Sequence, residues 1–324
     1  MKTFRKLILL TLALVLAVPA ATTLHAENDI PKIGIIQIIE HAALDAAREG
    51  FLEALKENGF EDGKNIMIDY RNAQGNPDIL SSIADHFVGQ EVDLVLAIAT
   101  SAAQTMAGKT ETIPILGTAI TDYVDARLVE SNEKPGYNVS GTTDMNPIKE
   151  QIALIKEMAP DTKSVGLLYT ASEDNSVTQA RIAKAFIEEA GMTYTEVLIN
   201  NSNDVQQAAE SLVEQVDALY IPTDNIVASS MPIVHEAAMR KKIPIFCSEG
   251  GQVEAGGTAT HGINYFELGK QTGLMAIEVL NGADVSTMPI QAQTEYTYLI
   301  NKSMCEAIGL VIPEALLPFA VDIP

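Results

Sequence analysis

Short apolar runs alternate with amphipathic stretches along this chain from Pro31 onward. The first run contains Ile33-Gly-Ile-Ile, and apolar residues at helical spacing follow it from Leu44 to Leu55. Further strand-like runs occupy 65–70 and 92–99, with a helical face between them. Runs of this length, separated by helices, predict a βαβαβαβ order and a parallel sheet covered by helices on both faces.

The same order of elements returns after Met145. Val165-Gly-Leu-Leu matches Ile33-Gly-Ile-Ile, and Ile243-Pro-Ile-Phe matches Ile113-Pro-Ile-Leu. The matching segments are offset by about 130 residues, and a near-constant offset is the sign of an internal duplication. The pattern therefore predicts an α/β protein of two similar, doubly wound parallel-sheet lobes, and not one large sheet.

The remaining segment is expected to complete both lobes, with a helix near 266–280 and a strand near 294–300. We assign 27–145 plus about 264–290 to lobe 1, and 146–263 plus about 291–324 to lobe 2. The chain then crosses between the lobes more than once. This predicts a multi-strand hinge near Asp144 and Gly262.

The N-terminus has the pattern of an export signal. Lys2, Arg5 and Lys6 precede an apolar run at 7–21, and a small residue suited to cleavage stands at Ala26. This pattern predicts a signal peptide over residues 1–26. The run is short for a membrane span, and no cysteine follows it to carry a lipid anchor. We therefore expect a soluble periplasmic protein.

The charge balance excludes one class of partner. The chain has 43 Asp and Glu against 21 Lys and Arg, a net charge of −22, and the signal holds three of those cations. A nucleic-acid surface requires the opposite sign, so no nucleic-acid partner is expected. Of the two cysteines, Cys247 ends an apolar strand and is interpreted as a buried free thiol, although a disulfide with Cys305 stays open.

Six segments carry a family resemblance: Ile33-Gly-Ile-Ile-Gln, His41 to Phe51, Ala99 to Gln104, Gly117-Thr-Ala, Gly141-Thr-Thr-Asp and Tyr220 to Asn225. Together they resemble the ABC transporter substrate-binding proteins related to tryptophan- and tyrosine-importer receptors, over nearly the whole mature chain. The resemblance implies a type I periplasmic-binding fold, a ligand held between closing lobes, and an ABC permease of the inner membrane as partner. It also implies amino acids as one ligand class. The missing anchor cysteine departs from the lipoprotein members of such families.

Ligands of open parallel sheets bind beyond the carboxyl ends of the strands. The residues that follow the predicted strands are therefore the candidate ligand contacts: Gln37, His41, Thr100, Ser101, Thr118, Tyr169, Ser172, Thr223, Asp224, Asn225, Glu249 and Tyr265. No catalytic residue, metal ligand or cofactor site is expected among them.

Three of these candidates suggest an amino-acid site. Ser101 begins a predicted helix whose free N–H groups attract a carboxylate. Asp224 occupies the equivalent position in lobe 2 and could hold an ammonium group, with Glu249 as the rival or second ligand. Helix capping without ligand contact is the alternative for all three. Side-chain contacts are expected from four others: Gln37, His41, Tyr169 and Tyr265.

An enzyme is the competing class. The chain has no phosphate loop, no GxSxG elbow and no HExxH helix, and its histidines are scattered. We therefore expect a monomeric, non-enzymatic receptor for an apolar or aromatic amino acid. A receptor for a sugar or nucleoside, a sensor that docks on a chemoreceptor, and a periplasmic enzyme stay as alternatives, in that order.

Overall fold

The computed structural model describes residues 30–323, so the predicted signal peptide lies outside the described residues. Across 30–323, the helices are all too short or too polar to cross a membrane. The strands belong to two sheets. The first sheet contains β1 (Lys32–Gln37), β2 (Met67–Asn72), β3 (Leu94–Ile98), β4 (Ile115–Ile120), β5 (Val139–Thr143) and β11 (Gln291–Ala292).

All neighbours in the first sheet are parallel, in the spatial order β11-β5-β4-β3-β1-β2. Strands β3 and β4 are buried at every residue, because helices cover both faces of the sheet. The helices on this sheet are α1 (Ala42–Glu57), α2 (Pro77–Gly89), α3 (Thr100–Ala107) and α10 (Tyr265–Leu280).

The second sheet contains β6 (Ser164–Thr170), β7 (Thr193–Ile199), β8 (Ala218–Ile221), β9 (Ile245–Cys247), β10 (Ala259–Gly262), β12 (Thr297–Asn301) and β13 (Ala320–Val321). Its order is β13-β12-β10-β9-β8-β6-β7. The helices of this lobe are α4 (Ile148–Met158), α5 (Asp174–Glu189), α6 (Val205–Leu212), α7 (Asn225–Ser229), α8 (Met231–Lys241), α9 (Gly250–Glu254) and α11 (Lys302–Ile308).

The strands of the two sheets follow the same spatial order. The order β2-β1-β3-β4-β5 in the first corresponds to β7-β6-β8-β9-β10 in the second. Gly34 and Gly166 occupy equivalent positions in β1 and β6, where an added Cβ would lie 2.8 Å from Phe87 and from Leu212. Each glycine lets a helix pack directly on its strand. The predicted pair of doubly wound α/β lobes is confirmed, except that β12 runs antiparallel to β10.

The core of the second lobe is divided by its sheet into two clusters. Cys305 lies in one and Cys247 in the other, and both thiols are buried and unpaired. Successive strand residues point to opposite faces of a sheet, so the two cysteines are kept apart by β9 and its neighbours.

Three connections join the lobes: β5 to α4, β10 to α10, and β11 to β12. Hydrogen bonds link the second and third of these connections. The Gln293 side-chain amide accepts from Asn264 N (3.1 Å) and donates to Asn264 O (2.8 Å). Residues 291–292 pair with β5 in the first sheet. The third crossing therefore follows residue 292, slightly later than the boundary expected near 291.

Candidate functional site

A small cavity lies between the two lobes. Its free volume is about 10 Å³, about enough for one water molecule. Its walls come from both lobes and from the hinge: His41, Leu44, Ala119, Asp144, Asn175, Thr223, Asp224, Asn225, Ala228, Glu249, Gln252 and Tyr265.

In lobe 1, two alanines at strand ends adopt a left-handed backbone conformation. Ala99 follows β3 with φ 81°, and Ala119 near the end of β4 has φ 56°. They are neighbours, because Ile98 of β3 pairs with Thr118 of β4. Residues other than glycine occupy this region at a cost, and such strain concentrates at ligand-binding sites.

In lobe 2, the two carboxylates predicted from sequence cap short helices. Asp224 accepts hydrogen bonds from Val227 N (2.8 Å), Thr170 N (2.5 Å) and Thr170 Oγ1 (3.0 Å). Glu249 accepts from two backbone N–H groups in the first turn of α9, at 2.6 and 3.0 Å. Both carboxylates also line the cavity. The capping interpretation of these residues is therefore supported, and ligand contact is compatible with it.

Asp144 is a cavity carboxylate that, unlike Asp224 and Glu249, caps no helix within residues 30–323. It follows β5 at the hinge, is fully buried, and accepts from Thr121 Oγ1 (3.0 Å) and Tyr265 Oη (2.8 Å). Burial raises the pKa of the Asp144 carboxyl. Sequence reasoning assigned Asp144 to the hinge alone, although its place directly after a strand was the same signal that identified the other candidates.

Glu173 lies behind the cavity wall and was not predicted. Its carboxylate accepts from Asn225 N (3.0 Å), Asn225 Nδ2 (2.6 Å), Asn175 Nδ2 (3.1 Å) and Ile226 N (3.3 Å). Burial, together with the charge of Asp224, raises the pKa of the Glu173 carboxyl. Glu173 thus orients the two asparagine amides that face the ligand space.

Four buried carboxyl groups surround this cavity: Asp144, Glu173, Asp224 and Glu249. Burial raises the pKa of each, in the case of Glu249 to about 8. Within residues 30–323, the cavity wall includes no lysine or arginine. Buried carboxylates are costly unless a cation or hydrogen-bond donors compensate them. The described cavity wall therefore offers acidic groups and no basic side chain of its own.

Several polar atoms at the site lack a protein partner. His41 Nδ1 and Asn175 Oδ1 are buried in the cavity wall, and neither has a hydrogen bond within the described chain. Thr100 Oγ1, at the start of α3, is buried and equally unpaired. Buried polar groups are rarely left unpaired in proteins. Their number here indicates that a polar ligand completes the site.

Six of the twelve candidates from sequence line the cavity: His41, Thr223, Asp224, Asn225, Glu249 and Tyr265. His41 and Asn225 also meet across the lobes, with Nε2 3.2 Å from Oδ1. Thr100 and Ser101 stand outside the wall, at the start of α3 and beside the strand that carries Ala119.

The other four candidates have partners elsewhere. The Gln37 amide is held by Asp45 and Arg48 beneath α1. Tyr169 donates to Glu196, at 2.6 Å. Thr118 faces a threonine cluster under α10, and Ser172 is exposed. These placements support structural or surface roles for Gln37, Thr118, Tyr169 and Ser172.

Known proteins resemble this chain over most of its length. Residues 32–323 match the family model described as ABC transporter substrate binding protein. The chain is 44% identical to a tyrosine-binding protein of Clostridioides difficile, over 86% of this chain and 81% of that protein. It is 36% identical to an ABC domain in complex with L-Trp from Streptococcus pneumonia, over 90% and 99% of the chains, with a TM-score of 0.87.

A third comparison concerns the lobe arrangement. A ligand-free, open structure of a substrate binding protein with adhesive properties from Clostridium difficile is 44% identical, over 91% of this chain and 100% of that one. Its TM-score is only 0.69, below that of the less similar L-Trp complex. The described lobes are therefore arranged more as in the liganded relative, which agrees with the hydrogen bond between His41 and Asn225.

Proposed function

This chain belongs to the ABC transporter substrate-binding protein family, and from that premise we propose that it captures a free aromatic amino acid for an inner-membrane permease. The fold is that of the type I periplasmic binding proteins. Members of this family are solute receptors, so their partners are a small ligand and a permease. The proposal concerns the ligand, the compartment and the residues that hold the ligand.

The main support for this proposal is that the described cavity wall contains buried carboxyl groups but no lysine or arginine. An α-ammonium group placed near Asp144 supplies a positive charge and three hydrogen-bond donors. Glu249 and the Tyr265 hydroxyl lie near Asp144, on the hinge side of the cavity. A charge-assisted hydrogen bond to a carboxylate is about twice as strong as a neutral one. Asp224 contributes from the opposite wall while it caps α7.

The ligand carboxylate is assigned to the start of α3. The N–H groups of Ala102 and Ala103 both bond to Ala99 O, so those of Thr100 and Ser101 are the ones directed beyond the helix. Free N–H groups and the helix dipole attract an anion there. The unpaired, buried Thr100 Oγ1 is a further donor at this position.

The aromatic side chain is assigned to the apolar part of the wall. Leu44, Ala119 and Ala228 supply aliphatic surface, and the two alanines present the smallest side chains of the wall. The tyrosine-binding relative and the L-Trp complex support a ligand of this shape.

The leader pattern and the family support the proposed compartment. The cationic and apolar pattern of residues 1–26 supports export, and receptors of ABC importers act outside the cytoplasm. We assign the mature protein to the periplasm as a monomer, because a single chain supplies both walls of the cavity.

Calorimetry on ligand-stripped protein tests this function, with L-amino acids, sugars and nucleosides as ligands. We expect aromatic amino acids to bind and Asp144→Asn to weaken their binding by about 2–5 kcal/mol, because a desolvated ammonium loses its charged partner. Glu196→Gln is the matched control, since this carboxylate pairs with Tyr169 and Lys184 away from the cavity. Binding of sugars or nucleosides alone would contradict the proposal.

A further inference from the structure

Part of the cavity wall is held by a chain of hydrogen bonds with a defined direction, which runs from Glu173 through Asn225 to His41. Glu173 accepts from both Asn225 N (3.0 Å) and Asn225 Nδ2 (2.6 Å). A carboxylate that receives these backbone and side-chain donors fixes which end of the Asn225 amide faces it. The Asn225 Oδ1 atom therefore faces the other way, toward His41 Nε2 at 3.2 Å.

The position of Asn225 Oδ1 decides the tautomer of His41. A carbonyl oxygen can only accept, so His41 Nε2 must carry the proton, and Nδ1 must then be a bare acceptor. Burial lowers the pKa of His41 to about 4, although Asn225 and Asp45 oppose the shift, so the ring is neutral near pH 7. His41 lines the cavity, and its buried Nδ1 has no protein donor among the described residues.

A second bare acceptor lies in the same wall. The Asn175 amide donates to Thr223 O (2.8 Å) and to Glu173 (3.1 Å), which leaves Asn175 Oδ1 buried and unpaired. Both acceptors are neutral, whereas Asp144 and Glu249 at the hinge side carry carboxyl groups. A cationic ammonium binds more strongly to the carboxylates. The neutral pair is thus left for an uncharged donor.

We propose that His41 is a specificity-determining residue, which accepts at Nδ1 a hydrogen bond from a donor on the ligand's aromatic ring, a phenol O–H or an indole N–H. The inference rests on the proposed function and specifies its ligand further. Phenylalanine fills the same space but leaves His41 Nδ1 unpaired in a closed cavity. Sites built to bond such a donor reject the analogue that lacks it.

Affinities of L-tyrosine, L-tryptophan and L-phenylalanine test the assignment, measured by calorimetry on ligand-stripped protein. We expect the wild type to prefer at least one of the first two over phenylalanine by at least about tenfold. His41→Leu should remove most of this preference, because tyrosine and tryptophan lose the ring hydrogen bond in addition to the interlobe bond to Asn225, whereas phenylalanine loses only the interlobe bond. His41→Asn, which keeps an acceptor on a shorter side chain, should restore part of it.

The outcomes separate the two proposals. An equal loss for all three amino acids in His41→Leu would place His41 on the common part of the ligand and overturn the specificity role. Unchanged affinities would likewise overturn it. If the wild type binds no amino acid at all, the proposed function itself fails. His41 makes no side-chain cap bond to α1, so these substitutions leave the helix start intact.

A spectroscopic measurement reads the tautomer directly. Long-range proton–nitrogen NMR on histidine-labelled protein should show His41 with a protonated Nε2 and an unprotonated Nδ1. Addition of the preferred aromatic amino acid should shift the Nδ1 resonance as it accepts a hydrogen bond. A protonated Nδ1 in the ligand-bound protein, where the lobes are closed, or no shift on binding, would contradict the proposal.

Discussion

Individual carboxylates at the cavity differ in what they already bind. Asp224 receives three hydrogen bonds from Val227 and Thr170, whereas Asp144 receives only two, both from neutral hydroxyl groups. A capped helix start is worth about 1 kcal/mol. Loss of Asp224 therefore affects the folding of lobe 2 as well as the ligand, and Asp144 is the cleaner reporter of ligand charge.

Glu249 has a pH-dependent effect on stability. Burial raises the pKa of its carboxyl from 4.5 to about 8, so between these values the folded, ligand-free protein holds a proton that the unfolded chain has released. The contribution of Glu249 to the free energy of unfolding is therefore greatest below about pH 4.5 and falls as the pH rises toward 8. Glu249→Gln removes the titration.

We expect the unfolding free energy of the wild type, relative to Glu249→Gln, to fall by about 1–3 kcal/mol from pH 5 to pH 8. Denaturant unfolding of ligand-free protein at each pH measures this difference. A difference that stays constant with pH would show that Glu249 is ionised in the folded protein throughout. His41 titrates in both proteins, so its contribution cancels.

At the scale of elements, α1 and α10 pack with their backbones in contact. An added Cβ on Gly269 would lie 1.9 Å from Ala47 O, and one on Gly50 would lie 1.9 Å from Phe266 O. His41 is the N-cap residue of α1 and Tyr265 is the first residue of α10, and both line the cavity wall. The close crossing therefore sets the spacing between a lobe 1 contact and a hinge contact.

We expect Gly269→Ala to lower the unfolding free energy by about 2–3 kcal/mol, because the helices must separate to admit a methyl group. Gly89→Ala is the matched control, since no atom lies within 4 Å of its added Cβ at the end of α2. Urea unfolding compares the three proteins. Wild-type stability in Gly269→Ala would show that the crossing has more space than described.

On the scale of the whole molecule, polar contacts close the rim of the cleft away from the hinge. Asp125 of lobe 1 accepts from Thr178 Oγ1 and pairs with Arg181 of lobe 2, both at 3.1 Å. Gln104 donates to Asp174 at 2.8 Å. None of these residues lines the ligand cavity, so they stabilise closure without touching the ligand.

Asp125→Ala should raise the Kd of the ligand by about 2–10-fold, mainly through faster dissociation, since exposed ion pairs contribute little and mostly in the closed state. Stopped-flow binding at low and high salt measures this, with the exposed Asp161→Ala as control. Small-angle scattering should show ligand-induced compaction in all three proteins. Unchanged dissociation in Asp125→Ala would show that the rim contacts do not hold the closed state.

The fold class could be predicted from sequence because the patterns that indicate it are local. Buried strands such as 94–98 are uniformly apolar, and the repeated Ile33-Gly-Ile-Ile and Val165-Gly-Leu-Leu mark equivalent strands. Neither signal depends on distant residues. The antiparallel β12 was missed, because strand direction in a sheet is decided by where the chain returns from the hinge.

Six of the twelve candidate residues line the cavity. They could be predicted because ligands bind beyond the carboxyl ends of parallel strands. What the sequence alone determined was thus the set of chain positions near the cleft. It did not determine the direction of side chains such as Gln37 and Tyr169, which turn away to satisfy partners within one lobe.

Only the tertiary structure decided which polar atoms meet across the molecule. His41 contacts Asn225, 184 residues away, and Tyr265 contacts Asp144 at a separation of 121. Helix capping within one lobe competes with ligand contact for the same oxygen atoms, as at Asp224. Whether such an oxygen caps a helix, contacts the ligand or does both depends on distances between the lobes. Local periodicity does not encode these distances, because the two lobes face each other only after the hinge strands have paired.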